Sequence, residues 1–126
     1  MIVYPNAKIN LGLNILRKRK DGYHDISSIF YPVKECVDIL EIIKSDTFEF
    51  TKSGIEIPDG ENLCEKAWKL LHKDYEIGNV RIHLHKQIPI GAGLGGGSSD
   101  SSFTLKVLNQ LFELNLNNKE LEKYAL

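Results

Sequence analysis

Residues 89–100 read Pro-Ile-Gly-Ala-Gly-Leu-Gly-Gly-Gly-Ser-Ser-Asp, and this stretch decides more about the 126-residue chain than any other. Five of its first nine residues are glycine, which loses more conformational freedom on ordering than any other residue. A fold tolerates that cost where a ligand approaches the backbone closely. Apolar residues at helical spacing follow, from Phe103 to Phe112. Because the first amides of a helix are unpaired and its dipole favours negative charge, the stretch predicts a phosphate-binding loop.

Other kinds of glycine-rich segment fit this stretch less well. A flexible linker is seldom followed directly by an amphipathic helix. A Walker A loop needs lysine after its last glycine, where this chain has Ser98. The dinucleotide-binding pattern is matched literally by residues 91–96, but we expect no strand–helix–strand unit around it. A dinucleotide-binding domain stays an alternative that titration with a nicotinamide cofactor tests.

Outward from the glycine stretch, the sequence predicts a mixture of strands and helices. Ile9, Leu11, Leu13 and Ile15 alternate with polar residues or glycine, which predicts a half-buried strand with Ile9 and Leu11 inside. Asp21-Gly22 predicts a hairpin turn. Further strands are expected at residues 25–32, 37–44, 48–52 and 80–85, and helices at 62–75, after the glycine stretch and from about 118. The predicted class is α+β, in one domain over residues 1–126.

Composition excludes several classes of protein. The chain is 42% apolar and 26% charged, so it is not compositionally disordered. A formal net charge of −1 argues against a nucleic-acid-binding surface. No apolar run is long enough to span a membrane or serve as a secretory signal. With two cysteines far apart in the sequence, we expect free thiols and a cytoplasmic protein.

Three segments together resemble one known family. The glycine stretch is similar to the ATP-binding loop of the GHMP small-molecule kinases, and residues 5–13 (Pro-Asn-Ala-Lys-Ile-Asn-Leu-Gly-Leu) and 19–24 (Arg-Lys-Asp-Gly-Tyr-His) resemble segments of the same family. The resemblance implies the fold of the GHMP kinase N-terminal domain, which is shared with a ribosomal protein domain and has a mixed or antiparallel sheet packed with helices. It implies ATP and Mg²⁺ as cofactors.

The resemblance also assigns roles to particular residues. Lys8 matches the active-site lysine of the family, which would neutralise charge on the transferred phosphoryl group. Ser99 is the candidate Mg²⁺ ligand, with a helix N-cap as its alternative role. Asn62 matches a residue near the adenine, and it is equally well placed to cap a helix. The residues implied to bind ATP are Pro89, Ile90, Gly91, Ala92, Gly93, Leu94, Gly95, Gly96, Gly97, Ser98 and Ser99, together with Asn62.

A small-molecule substrate is implied as well. Tyr23 and His24 fall where family members bind a cytidine, and Asn10 shares a strand face with Lys8. Phe30 corresponds to a stacking aromatic, although Phe30 or Tyr31 could equally be a core residue. The implied reaction is ATP-dependent phosphorylation of the 2-hydroxyl of a cytidine diphosphate-linked methylerythritol, in non-mevalonate isoprenoid biosynthesis.

The chain also departs from the family pattern. Family members carry a Leu-Gly-x-Asp-x-Pro motif, whose aspartate is the catalytic base, and a C-terminal domain; this sequence contains neither. We do not expect Asp100 to replace that base. We therefore expect the N-terminal portion of a kinase, inactive alone and of undetermined oligomeric state. The alternatives are a kinase for another substrate, such as mevalonate or homoserine, and a non-catalytic nucleic-acid-binding module of the same fold.

Overall fold

A computed structural model describes residues 1–125 as an α+β fold, as the sequence predicts. In chain order its elements are β1 (Ile2–Val3), β2 (Asn6–Lys18), β3 (His24–Val37), β4 (Ile39–Lys44), β5 (Glu49–Gly54), α1 (Leu63–Tyr75), β6 (Val80–Lys86), α2 (Gly96–Leu111) and α3 (Asn118–Glu122). No helix among the described residues is long and apolar enough to cross a membrane.

A four-stranded mixed sheet forms one layer of the fold. Its strand order is β1-β4-β6-β5, with β5 and β6 parallel and the other neighbours antiparallel. Helix α1 connects the parallel strands β5 and β6, so the chain does contain one strand–helix–strand unit, which the sequence analysis did not expect. The glycine stretch follows the last strand of that unit, whereas a dinucleotide-binding fingerprint follows the first strand.

The core lies between this sheet and the two long helices. In β6, Val80, Ile82 and Leu84 are buried, while Arg81, His83 and His85 lie on the opposite face. This agrees with the alternation in the sequence. Burying each such aliphatic side chain stabilises the fold by about 1.5–3 kcal/mol. The helices contribute the buried residues Cys64, Ala67, Trp68, Leu71, Leu105, Val107 and Leu108.

Strands β2 and β3 form a separate two-stranded antiparallel ribbon. Its tip is the predicted hairpin turn, where Gly22 has a φ of 89° and the Tyr23 amide donates to Asp21 Oδ1. The expectation that Ile9 and Leu11 are buried is wrong, because they are 38% and 48% exposed. Period-two alternation predicts that one face of a strand is apolar, but it does not supply the layer that covers that face.

Several element boundaries also differ from the sequence predictions. The short strand β1 was not predicted. Strand β3 continues to Val37 instead of ending at residue 32, so that only Asp38 separates it from β4. Helix α2 begins at Gly96, inside the glycine stretch, because Gly95 adopts the left-handed conformation that precedes the helix. Phe30 and Tyr31 are exposed, so the core role considered for them is wrong.

Candidate functional site

The glycine stretch forms one wall of a cleft of about 520 Å³. The opposite wall is the segment 57–63, which leads into α1. Lys86 and Asp100 line the cleft between these walls. The cleft therefore lies where the loop after β6 faces the start of α1.

The backbone of the glycine stretch presents unpaired amides at the start of α2. Gly91, Gly93 and Gly95 all have φ values near +70°, a backbone conformation that residues other than glycine rarely adopt without strain. The first helical hydrogen bond runs from the Ser99 amide to the Gly95 carbonyl, at 2.9 Å, and no side chain caps the helix. The amides of residues 96–98 thus have no partner within the helix, an arrangement that favours an anion.

Close packing explains why residue 96 is glycine. A Cβ atom on Gly96 would lie 2.8 Å from Lys86 Nζ and 2.9 Å from a methyl carbon of Ile88. Both contacts are shorter than real Cβ atoms make. The absence of a side chain therefore lets the N-terminus of α2 pack directly over the Lys86 ammonium.

Lys8 lies beside the same helix N-terminus. Its amide donates to the Leu94 carbonyl at 2.9 Å, and its side-chain methylenes lie 3.1 Å from the position that a Cβ on Gly95 would take. Its ammonium donates to Asn10 Oδ1 at 2.8 Å and lies 5.0 Å from the centre of the Phe30 ring. The structure thus brings Lys8, Asn10 and Phe30 together beside the glycine stretch, while the roles that the resemblance implies for them stay predictions.

Tyr23 and His24 are not part of this cluster. They lie at the tip of the ribbon, where His24 pairs with Lys18, whereas Phe30 pairs with Asn10. His24 and Phe30 are six positions apart on an extended strand, which is roughly 20 Å along the ribbon. Both side chains are exposed and touch no part of the cleft.

Asn62 caps α1, while its position near the adenine stays a prediction. Its side chain accepts the Cys64 amide at 2.9 Å, and the Glu65 carboxylate accepts the Asn62 amide at 2.9 Å, which completes a capping box at the start of α1. Asn62 also lines the cleft. Its cap fixes the wall that faces the glycine stretch.

Ser99 does not fit the N-cap role, because Gly95 holds that position and Ser99 lies in the first turn of α2. It is half-buried and does not line the cleft, whereas Ser98 does. Within residues 1–125, no group of three or more histidine, cysteine, aspartate or glutamate side chains is arranged to hold a metal ion. His83 and His85 instead contact the hydroxyls of Thr51 and Ser53.

A buried charge network, formed by Asp38, Lys86 and Asp100, underlies the start of α2. Lys86 is 4% exposed and donates to Asp38 Oδ2 at 2.5 Å and to Asp100 Oδ2 at 2.7 Å. Asp38 Oδ1 accepts the amides of Gln87 and Ile88 at 2.6 and 2.8 Å. Asp100 Oδ1 is buried without a hydrogen-bond partner.

The two carboxyl groups of this network differ in pKa. Burial raises the pKa of Asp100 to about 7, because the opposing effect of Lys86 is smaller. Burial also acts to raise the pKa of Asp38, but hydrogen bonds from Lys86 and from the amides of Ile88 and Gln87 outweigh it and leave that pKa below its usual value. With both acids ionised, the network has two negative charges for one positive charge.

This network was not predicted from the sequence, although the sequence contains one signal of it. Lys86 continues the even-numbered series Val80, Ile82 and Leu84, so a charged residue occupies a position where the strand period places a buried one. A buried ammonium needs a carboxylate partner. Which acids supply it could not be read from the sequence, because Asp38 lies 48 residues away.

Comparisons with known proteins find a matching family and several similar proteins. The family described as GHMP kinases N terminal domain matches residues 62–126. A protein of Cytophaga hutchinsonii named 4-diphosphocytidyl-2-C-methyl-D-erythritol kinase is 56% identical over 97% of this chain and 46% of its own length. One of the same name from Azobacteroides pseudotrichonymphae is 54% identical over 99% of this chain and 47% of its own length.

A solved structure is similar over the whole chain. The crystal structure of a 4-(cytidine 5'-diphospho)-2C-methyl-D-erythritol kinase superposes with a TM-score of 0.81 at 35% identity, covering 100% of this chain and 46% of the other. The chain thus spans about half the length of the relatives it matches.

Proposed function

The chain belongs to the GHMP kinase family, and on that premise we propose that it binds the triphosphate of ATP at the N-terminus of α2. For a polypeptide of the relatives' length that contains this chain, the proposed reaction is transfer of the γ-phosphoryl group to the 2-hydroxyl of 4-diphosphocytidyl-2-C-methyl-D-erythritol. Such a kinase would contribute to isoprenoid precursor biosynthesis. A cytoplasmic location stays a prediction of the sequence.

One observation carries the proposal: an uncapped helix N-terminus with unpaired amides has a lysine side chain packed against it. The amides of residues 96–98 would donate to phosphate oxygens, and the dipole of α2 would favour their negative charge. The Lys8 ammonium would neutralise charge on the transferred group, which is the main requirement of phosphoryl transfer. The glycines let the phosphates approach the backbone closely.

The alcohol substrate would lie against the base of the ribbon, next to this site. Asn10 and Phe30 are within reach of the Lys8 ammonium and offer an amide and an exposed aromatic face. An aromatic ring can stack on a pyrimidine, and a histidine can hydrogen-bond its edge. Because Tyr23 and His24 lie at the far end of the ribbon, a single extended substrate would have to reach along it to contact them.

A magnesium ion would be held mainly by the phosphates rather than by this chain. Mg²⁺ keeps several waters and is usually bound by one or two carboxylates together with substrate phosphates. The carboxylate beside the loop, Asp100, is buried and paired with Lys86, and the described residues contain no ready-made cluster of acidic ligands. The Ser99 hydroxyl is a candidate ligand, and Ser98, which lines the cleft, is a second one.

Calorimetric titration of the chain with MgATP tests the nucleotide part of the proposal. Replacing Lys8 by methionine removes a charge-assisted contact, so we expect affinity to fall about tenfold or more. Lys34→Met on the exposed surface of the same ribbon is the matched control and should leave affinity unchanged. Equal effects of both substitutions would refute the role of Lys8.

A phosphotransfer assay tests the substrate. A polypeptide of the relatives' length should phosphorylate the cytidine diphosphate-linked alcohol in preference to mevalonate or homoserine. Preference for either plain alcohol would support the alternative of another GHMP kinase. Salt-dependent retention of RNA would support a nucleic-acid-binding module, and NADH binding would support a dinucleotide-binding domain.

A further inference from the structure

One buried charge network holds both ends of the glycine stretch. Asp38 Oδ1 accepts the amide of Ile88, the residue directly before the stretch. Lys86 joins the same aspartate to Asp100, the residue directly after Ser99. The residues on either side of 89–99 are therefore held by the same three side chains, although Asp38 is distant from them in sequence.

The same aspartate also ties the glycine stretch to the ribbon. Asp38 lies between β3 and β4, and its amide donates to the Pro5 carbonyl at 2.9 Å, just before β2 begins. On β2, the Lys8 amide donates to the Leu94 carbonyl in the middle of the stretch. The stretch is thus fixed at its ends by the network and at its centre by the ribbon.

The electrostatics favour a network with two acids. Lys86 Nζ lies under the backbone of Gly96, at the positive end of the α2 dipole, where an unpaired ammonium would be repelled. Carboxylates close to a helix N-terminus are stabilised by it. Asp38 and Asp100 therefore allow a lysine to occupy a position that the helix alone disfavours.

We propose that Asp38, Lys86 and Asp100 are positioning residues, which fix the glycine stretch so that the first amides of α2 face the cleft and which couple that stretch to the ribbon. A segment with five glycines samples many conformations unless it is held. Buried ion pairs contribute little net stability but can specify one arrangement of their elements. That a fixed glycine stretch helps nucleotide binding rests on the proposed function, whereas the fixing of the stretch by this network does not.

Residue-resolved amide hydrogen exchange on the chain, without ligand, tests the proposal. In Asp38→Asn the side-chain oxygen can still accept the Gln87 and Ile88 amides, while the charge that pairs with Lys86 is lost. We expect the Lys8 and Ser99 amides to exchange about tenfold faster or more, relative to the Leu71 amide in the core helix α1. Glu49→Gln breaks an exposed pair with Arg81 and should change this ratio by less than about twofold.

Two results separate positioning from general stability. If exchange of the Lys8 and Ser99 amides rises only as much as exchange of Leu71, the network has a purely structural role and the proposal is overturned. If Asp38→Asn does not fold, Asp100→Asn on α2 is subject to the same comparison and the same criterion. Failure of the unaltered chain to bind MgATP would refute the proposed function, while the exchange ratios would still decide this inference.

Discussion

Replacing Lys86 by methionine perturbs the buried network most directly. Methionine has a similar volume but no charge, so Asp38 and Asp100 lose the ammonium that both contact within 2.7 Å. Breaking a buried pair by removing one partner costs about 3–5 kcal/mol, because a charge is left uncompensated. That loss is a large part of the roughly 5–15 kcal/mol that stabilises a typical domain.

Urea unfolding monitored by fluorescence measures this loss. Trp68 is the single tryptophan and stacks on Phe48 in the core, with ring centres 4.0 Å apart, so its emission reports on tertiary structure. We expect the full loss at pH 8, and a smaller loss at pH 5, where Asp100 is protonated because burial raises its pKa to about 7. Lys69→Met is the control, since Lys69 contacts Glu61 at the same 2.5 Å on the exposed surface and its removal should not shift the midpoint.

Two results would refute this reasoning. A loss below about 1 kcal/mol at pH 8 would mean that the carboxylates are solvated without Lys86. An equal loss at pH 5 and pH 8 would mean that Asp100 does not change its charge in this range. If the variant does not fold, Lys86→Met combined with Asp100→Asn should recover a folded chain, because only one unpaired carboxylate is left.

Three further predictions concern single residues. Because burial raises the pKa of Asp100 to about 7, the folded chain keeps a proton that the unfolded chain releases between about pH 4 and 7. The free energy of unfolding should therefore fall as pH rises through that window, by up to about 4 kcal/mol from this group. Asp100→Asn should remove this pH dependence in urea titrations at several pH values, and parallel pH profiles of the variant and the unaltered chain would contradict the prediction. Gly95→Ala should destabilise the chain by about 1–2 kcal/mol, because a φ of 71° strains alanine and its Cβ would crowd the Lys8 side chain; an unchanged urea midpoint would contradict this. Phe30→Ala should leave the melting temperature nearly unchanged, because the ring is 57% exposed, yet calorimetry should show weaker binding of cytidine diphosphate; a large drop in melting temperature would instead indicate a core role.

Features that depend on neighbouring residues could be predicted from the sequence. The capping box at Asn62 and Glu65 correctly marks the start of α1, and alternation in β6 correctly assigns its buried face. The glycine stretch and the helix after it come from local composition and period, so the unpaired amides at the start of α2 could be predicted before the structure, while anion binding there stays a prediction. That Lys8 lies beside the glycine stretch could not be derived from hydrophobic periodicity, and only the family resemblance suggested it.

Features that depend on distant partners could not be predicted. Ile9 and Leu11 alternate as a half-buried strand does, yet they are 38% and 48% exposed, because the contact that β2 makes with the start of α2 at Lys8 does not cover them. Asp38 has no local pattern that distinguishes it from an exposed acid. Its importance appears only when the fold brings it to Lys86, 48 residues later.

The central claim is that the first amides of α2 hold the phosphates of a nucleotide. Amide chemical shifts of the chain, recorded during titration with MgATP and separately with adenosine, test it most directly. We predict that MgATP shifts the amides of residues 96–98 more than those of α3, and that adenosine, which has no phosphates, leaves them unshifted. Unshifted amides at residues 96–98 with MgATP, or equal shifts with adenosine, would contradict the claim.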